Sequence, residues 1–312
     1  TRIIEHGGDQ QVTGEALALD GEGRPRFVLH TTVAYLGVGQ KPPATHWATC
    51  DAACDDPSAW AITPISDQIW RTSSLRFDVL GRAHVATAAL VTDANGTGYV
   101  GAYLRCDGGC ENGNAWFGQG LATAHEAPLA AVPIEPAVSL ALTSDGEPRI
   151  ALMSEDDYHQ RRLTYWACSG DCTNSPWDGM ILSEGNAHGA GVDLALDEQG
   201  RPVVAHTVDY GIVLARCDAD ACAEPNAPWQ LERVEAGSEM APDTFYLYPN
   251  CVVSAWFLHS PSVAFAPTGT AHVGYQARDI SGGLSNPDPD DTPDCVAGTD
   301  MTWSRLALLP GG

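Results

Sequence analysis

Four places in the chain set two cysteines four or five positions apart, with a tryptophan soon after. They are Cys50 and Cys54 before Trp60, Cys106 and Cys110 before Trp116, Cys168 and Cys172 before Trp177, and Cys217 and Cys222 before Trp229. Paired thiols can hold a metal, exchange electrons or close a staple. Structural zinc needs four converging ligands, and these pairs fall in separate repeats of the sequence. A thioredoxin-like site needs C-x-x-C and a haem attachment site C-x-x-C-H, and neither spacing occurs. A disulfide fits, because a tight turn brings the two Cα atoms within bridging range. A loop of this size stabilises by about 2 kcal/mol in the loop-entropy model. The expected bridges are Cys50–Cys54, Cys106–Cys110, Cys168–Cys172 and Cys217–Cys222. Cys251 and Cys295 remain of the ten cysteines. Cys295 lies eight residues before Trp303, in the second-cysteine slot of a degenerate copy, "CVAGTDMTW", so Cys251–Cys295 is the fifth expected pair.

Acids and histidines form the second set of candidates. "SEDDYHQRR" holds Asp156, Asp157, His159 and Arg161, and "ATAHEAP" holds His125 and Glu126. His188 lies in "GNAHGAG", His206, Asp209 and Tyr210 in "AHTVDY", and Trp256 in "SAWFLHS". Neutral imidazoles converging from His125, His159, His188 and His206 would suit a transition metal. Asp156 or Asp157 facing Asp209 or Glu126 would suit glycoside hydrolysis, which needs two carboxyl groups flanking the bond. Asp288, Asp290, Asp291 and Asp294 share one loop, "SNPDPDDTPDC", and clustered carboxylates suit calcium, although three prolines and a missing glycine depart from an EF-hand loop. Against each stands a plainer alternative, in which loop acids keep the surface solvated and lone histidines bind nothing.

Those residues are positioned by a repeat. "LALDGEGRPRFVLH" at Leu17 returns as "LRFDVLGRAHVATA" at Leu75, "LALTSDGEPRIALM" at Leu140, "LALDEQGRPVVAHT" at Leu194 and "VAFAPTGTAHVGYQ" at Val263. Each copy reads as four short strands. The first leads through a glycine turn to the second, a variable loop leads to the third, and the cysteine turn leads to a fourth opened by tryptophan. Alternating apolar residues, β-branched and aromatic enrichment and Gly/Asp/Asn/Pro turns favour strands over helices. Five such units predict an all-β fold, a five-bladed β-propeller of four-stranded antiparallel blades, with six blades the alternative. The chain divides at about 15–71, 72–136, 137–191, 192–260 and 261–312 into repeats of one domain. Residues 1–14 are expected to add a strand that helps to close the ring. "WSRLALL" is read as the fourth strand of the last repeat.

The layout resembles secreted bacterial β-propellers of the sialidase-like superfamily. There an Asp-box loop, S-x-D-x-G-x-x-W, occupies the turn before the fourth strand; here "CSGDCTNSPW" and "CDAACDDPSAW" stand in its place, with Trp177 and Trp60 matching its tryptophan. The repeats also look like the arrays of strands with C-x3-C–W turns in exported bacterial proteins. The resemblance covers nearly the whole chain and implies a fold, not an activity. Sialidase chemistry needs clustered arginines, and Arg71, Arg161, Arg162 and Arg278 are scattered, so that activity is not carried over.

Charge narrows the partners. The net charge is −24, and Lys41 is the only lysine. Such a field repels phosphate backbones and anionic lipid, which speaks against nucleic acid and membrane surfaces. No apolar run approaches the ~18 residues of a bilayer span. Ten cysteines point to an extracellular or periplasmic location. No signal peptide is visible, so Thr1 reads as a mature or trimmed start. Binding is expected on the end carrying the variable loops, about 33–45, 91–98, 154–161, 207–211 and 278–301, with the connections near 66–73, 121–138, 183–192 and 235–261. The leading expectation is a binding module for a glycan, protein or small molecule. A glycan hydrolase and a copper- or similar metal-binding protein are the alternatives.

Overall fold

Each repeat is organised by one turn. The Asp20 N–H donates to the Arg24 carbonyl and the Gly23 N–H to the Asp20 carbonyl, each at 2.9 Å. The same pair of bonds recurs at Asp78/Gly81/Arg82, Thr143/Gly146/Glu147, Asp197/Gly200/Arg201 and Ala266/Gly269/Thr270. The five glycines have φ between +74° and +81°, a left-handed conformation that a Cβ would oppose. In three repeats the aspartate also accepts two backbone N–H bonds and the arginine Nε that follows. Ala266 has no such side chain, yet its turn keeps the backbone pattern, so backbone geometry leads and the carboxylate reinforces it.

The structure is a computed structural model that describes residues 10–11, 15–31, 44–93, 96–121, 126–128, 137–156, 161–185, 188–219, 222–224, 226–240, 256–279 and 302–309. They contain five antiparallel sheets. In the first, β1 (Gln10–Gln11) and β2 (Leu17–Leu19) share one edge of β3 (Pro25–Thr31), followed by β4 (Ala44–Thr49) and β5 (Ala61–Ser66). The second runs β6 (Trp70–Phe77), β7 (Ala83–Asp93), β8 (Gly96–Cys106) and β9 (Trp116–Gly120). In the third, β10 (Glu126–Pro128) and β11 (Val138–Leu142) share an edge of β12 (Pro148–Asp156), followed by β13 (Arg161–Ala167) and β14 (Asp178–Gly185). The fourth is β15 (His188–Leu196), β16 (Pro202–Val208), β17 (Gly211–Cys217) and β18 (Trp229–Glu235), and the fifth is β19 (Trp256–Phe265), β20 (Ala271–Asp279) and β21 (Thr302–Leu309). Four sheets with four strand positions and one with three are consistent with a five-bladed β-propeller.

One strand assignment needs correction. β21 pairs directly with β20, with Ala271 opposite Leu309. In the second sheet the corresponding pair is Ala83 and Cys106, so Leu309 occupies the position of a first cysteine and "WSRLALL" is a third strand. Spacing from Cys295 had suggested a fourth, but ladder register overrides spacing. Among the described residues the fifth sheet has no fourth strand. Of residues 1–14, the described pair Gln10–Gln11 belongs to the first sheet, opposite Thr31 and His30.

The chain packs as two compact units, residues 1–186 with 219–227 and residues 187–218 with 228–312. In the first, sheets one and two meet face to face through Val28, Trp47, Trp70, Leu75 and Val85, and sheets two and three through Ala86, Tyr103, Leu140, Ile150 and Leu152. In the second, sheets four and five enclose Ala205, Leu214, Leu258, Val263 and Val273. A strand in such a stack is buried on both faces, which is why β16 is buried continuously from Pro202 to Thr207 rather than at alternate residues.

First strands of successive sheets lie against one another: β2 and β6, β6 and β11, and, in the second unit, β15 and β19. Each is interrupted once. β1 and β2 are separate, as are β10 and β11, while β6, β15 and β19 shift register at Arg71/Ser74, His188/Val192 and His259/Ser262. First strands are sheet edges, and their outward N–H groups need acceptors. The residue just past the interruption supplies one. Ser74 Oγ accepts the Leu140 N–H at 3.0 Å, and Asp193 Oδ2 accepts the Val263 N–H at 2.7 Å. Ala16 holds this position in the first sheet and has no oxygen; the Leu75 N–H goes to the Glu15 carbonyl instead, at 3.0 Å. The Glu15 carboxylate then takes the Ser74 hydroxyl at 2.8 Å, the Ser139 hydroxyl at 3.2 Å and the Arg76 guanidinium, tying three sheets together.

The cysteine turns close as disulfides in Cys50–Cys54, Cys106–Cys110 and Cys168–Cys172, with Cα–Cα distances of 5.7, 5.8 and 5.7 Å. Each is capped by its tryptophan, whose indole N–H donates to the second cysteine's carbonyl at 3.1, 2.9 and 3.1 Å. Cys217 and Cys222 are both disulfide-bonded. Cys251 and Cys295 lie outside the described residues.

Candidate functional site

The variable-loop end of the second unit brings together a set of rings. β16 and β17 are joined by the two-residue turn Asp209–Tyr210, with φ of 49° and 60°. A two-residue hairpin with both φ positive is ordinarily given to Asn-Gly, since a bulky residue there is strained. Tyr210 accepts that conformation and stands 58% exposed. Its carbonyl accepts the Leu258 N–H at 3.2 Å, which fixes the turn against β19. Gly237 makes the corner possible, because a Cβ there would lie 2.0 Å from the Trp256 carbonyl oxygen.

β19 presents Phe257 and His259 two residues apart, on one face of the strand. The Tyr210 and Phe257 rings meet edge to face with centroids 5.9 Å apart, and Phe257 stacks on His259 at 5.3 Å with 15° between planes. His259 Nδ1 lies 3.0 Å from Ser260 Oγ, in the strand's register shift, where Ser260 has φ 50°. On the other face Leu258 is fully buried and Trp256 packs on Trp303, with centroids 5.3 Å apart. Arg278 stands opposite Phe257 in the ladder and is exposed. Beneath this end, Glu235 at the close of β18 accepts the Tyr275 hydroxyl at 2.6 Å and pairs with Arg305, joining sheets four and five. Burial and that carboxylate hold the Tyr275 phenol above its ordinary pKa. The arrangement offers an aromatic ladder flanked by an acid, an imidazole and a guanidinium. Sugars, with apolar C–H faces and hydroxyl rims, are a natural fit to such a surface.

In the third sheet, Glu126 of β10 and Asp156 of β12 are directly opposite in antiparallel register.

The remaining candidates are distributed as follows. His206 lies inside β16 at 0% exposure, between Val192 and Val213 in the ladders, so it does not open on the loop end. His188 opens β15 opposite Val208, and Arg161 opens β13 opposite Glu155 and is half-buried. Asp209 is exposed beside Tyr210. His125, Asp157, His159, Asp288, Asp290, Asp291 and Asp294 lie outside the described residues. Among the described residues no group of three or more His, Cys, Asp or Glu side chains is disposed to hold a metal, and no helix is long and apolar enough to cross a membrane. Phe257 is not singled out by the sequence. The apolar–aromatic run "WFLH" was visible, but its pairing with a turn 46 residues earlier was not.

At the short-turn end of the first unit, the side chains just past the turn glycines have structural partners. Arg26 and Arg149 stand three residues past the turn glycine and donate to the carbonyls of Cys50 and Cys168 at 2.7 and 2.8 Å. His84 holds that position in the second sheet, between Tyr103 Oη at 2.7 Å and Asp78 Oδ2 at 3.2 Å. Burial pushes the His84 imidazole below its usual pKa, against the pull of Asp78. Asp78 is itself raised by burial, but bonds from Arg82 and His84 outweigh this and leave its carboxyl lowered.

No family model matches the chain, and no curated protein matches it. Solved structures share the fold distantly. One is a protein of unknown function from Dyadobacter fermentans, with 11% identity over 89% of this chain and 83% of that one, and a TM-score of 0.50. Others are a thermostable family-43 glycoside hydrolase (11% identity, 97% and 90% covered, TM-score 0.44) and an endo-arabinase from Bacteroides thetaiotaomicron (11% identity, 96% and 94% covered, TM-score 0.42). At 11% identity the likeness to the Dyadobacter fermentans protein is one of fold.

Proposed function

We propose that this protein is an exported, disulfide-stapled propeller that binds carbohydrate on its variable-loop end. The observation that carries the reading is the ladder Tyr210–Phe257–His259, an exposed tyrosine held in a strained turn and backed by stacked rings. Strain at a turn tip is retained where it aims a side chain, and here it aims a phenol outward beside Asp209 and above a buried strand. Burying a ring that is now 58% exposed would contribute the hydrophobic part of sugar binding. The disulfides Cys50–Cys54, Cys106–Cys110 and Cys168–Cys172 support export. The test is a glycan array followed by titration of the best hit against wild type and Tyr210→Ala. Binding weakened at least tenfold by the substitution is the expected result. Binding of no glycan, or equal binding by both proteins, rejects the proposal.

A second reading, glycan hydrolysis at the loop end of the first unit, is favoured by the register of Glu126 and Asp156. Two carboxyl groups on neighbouring strands suit a pair in which one protonates the leaving oxygen and the other attacks or activates water. Release of reducing ends from the array hit, abolished by both Glu126→Gln and Asp156→Asn, is the outcome that supports it. No release from a glycan that binds tightly leaves binding as the activity and removes hydrolysis.

A further inference from the structure

The short-turn end of the second unit contains a cleft of ≈ 310 Å³ between the turns of sheets four and five, lined by Arg201, Val203, Arg216, Asp218, Phe265 and Thr268. Its origin lies in the repeat. Val203 stands three residues past Gly200, where the first and third sheets carry Arg26 and Arg149. Those long side chains reach the first cysteine's carbonyl, and valine leaves that room open.

Arg216 borders the cleft in an unusual state. Its Nε and Nη2 are shut off from solvent and have no hydrogen-bond acceptor among the described residues. Among the described residues Glu232 approaches it, 3.8 Å from Nε, and Glu232 is itself exposed. A buried donor without an acceptor is destabilising, because its lost hydration is not replaced. Arg105 shows how the same position is satisfied elsewhere. It is the residue before the first cysteine of the second sheet, as Arg216 is in the fourth. Arg105 Nε and Nη2 donate to the two carboxylate oxygens of Asp107 at 2.8 and 3.2 Å, and its Nη1 reaches Asp171 of the next sheet at 3.5 Å. In the fourth sheet the counterpart of Asp107 is Asp218, and it lies 3.7 Å from Arg201 instead. Asp197 is likewise committed to Arg201.

From the unsatisfied Arg216 guanidinium, the cleft beside it and the carboxylate that satisfies its counterpart Arg105, we infer that this cleft is a second binding site, for a small carboxylate up to the size of a hexuronic acid. Binding requires the Arg216 guanidinium to turn its Nε–Nη2 edge into the cleft, where the ligand's carboxyl group takes the place that Asp107 has beside Arg105, a planar two-point pairing that a guanidinium makes and an ammonium does not. The cleft volume accommodates one pyranose ring in addition. The site is at the short-turn end and does not depend on the carbohydrate reading of the loop end.

Calorimetric titration of the full chain with D-glucuronate, acetate and D-glucose tests it. D-Glucuronate is expected to bind, D-glucose not to bind, and Arg216→Gln to weaken D-glucuronate at least tenfold while leaving the far-UV spectrum and thermal midpoint near wild type. Arg216→Lys is expected to recover only part of the affinity. Acetate displacing D-glucuronate assigns the carboxyl group as the shared element; acetate failing to compete while D-glucuronate still requires Arg216 assigns the site to uronic acids. Equal binding of D-glucose, no binding of either carboxylate, or wild-type affinity in Arg216→Gln overturns the inference. Tyr210→Ala separates the two ends: D-glucuronate binding lost in Arg216→Gln and kept in Tyr210→Ala assigns it to the cleft, whereas the reverse assigns it to the loop end and overturns the inference.

Discussion

Asp193 offers a quantitative test of how neighbouring first strands are joined. It is 5% exposed, and its Oδ2 accepts the Val263 N–H at 2.7 Å while Oδ1 accepts the Leu194 N–H at 2.9 Å. Val263 is 6% exposed, so water cannot replace the lost acceptor. Asp193→Ala orphans that donor at about 1–3 kcal/mol and gives up a bond to a charged acceptor, of about 1.5–3 kcal/mol; the two describe one loss, so about 2–3 kcal/mol is expected. The chain supplies its own control, since Ser74 does the same work for the Leu140 N–H at 3.0 Å with a neutral hydroxyl. Asp193→Ser is therefore expected to cost at most about 1 kcal/mol, the worth of an ordinary bond against a charged one. Urea unfolding followed by fluorescence, with equal slopes for all three proteins, measures both values. Asp193→Ala within about 0.5 kcal/mol of wild type, or Asp193→Ser as damaging as alanine, would refute the idea that this position exists to satisfy the next sheet's edge.

Three further outcomes are expected. The depressed pKa of His84 means that, below pH about 6.5, the unfolded chain takes up a proton that the folded chain resists. Its contribution is thus present at neutral pH and is lost as pH falls from about 6.5 toward the folded value; His84→Asn should flatten the slope of urea midpoint against pH in that window, and identical slopes would exclude the assignment. Gly237→Ala places a Cβ 2.0 Å from a backbone oxygen, so it should cost more than about 2 kcal/mol and disturb Tyr210, read as lost stability together with lost glycan binding. Removing one staple as Cys106→Ala with Cys110→Ala should cost about 2 kcal/mol by loop entropy. Trp116→Phe in the same turn should cost about 1 kcal/mol, for the indole bond to Cys110, while its packing on Trp47 and Trp70 is largely kept.

What the amino-acid sequence determined by itself is the local geometry. The five turn glycines, the three observed staples and the tryptophans that cap them involve contacts within about six residues, and such contacts are specified by residue type and spacing alone. The all-β class followed for the same reason, from alternation and turn chemistry repeated five times. Tertiary structure decided everything that depends on register between distant strands. It made residues 302–309 a third strand, because the ladder to β20 outweighs the distance from Cys295. It buried His206 in a strand stacked on both faces, and it set Glu126 opposite Asp156 and Tyr210 beside Phe257. It also separated Arg216 from Arg105, two arginines in the same sequence position. A side chain's partner is set by which neighbour reaches it first in space, and in the fourth sheet Asp218 was closer to Arg201.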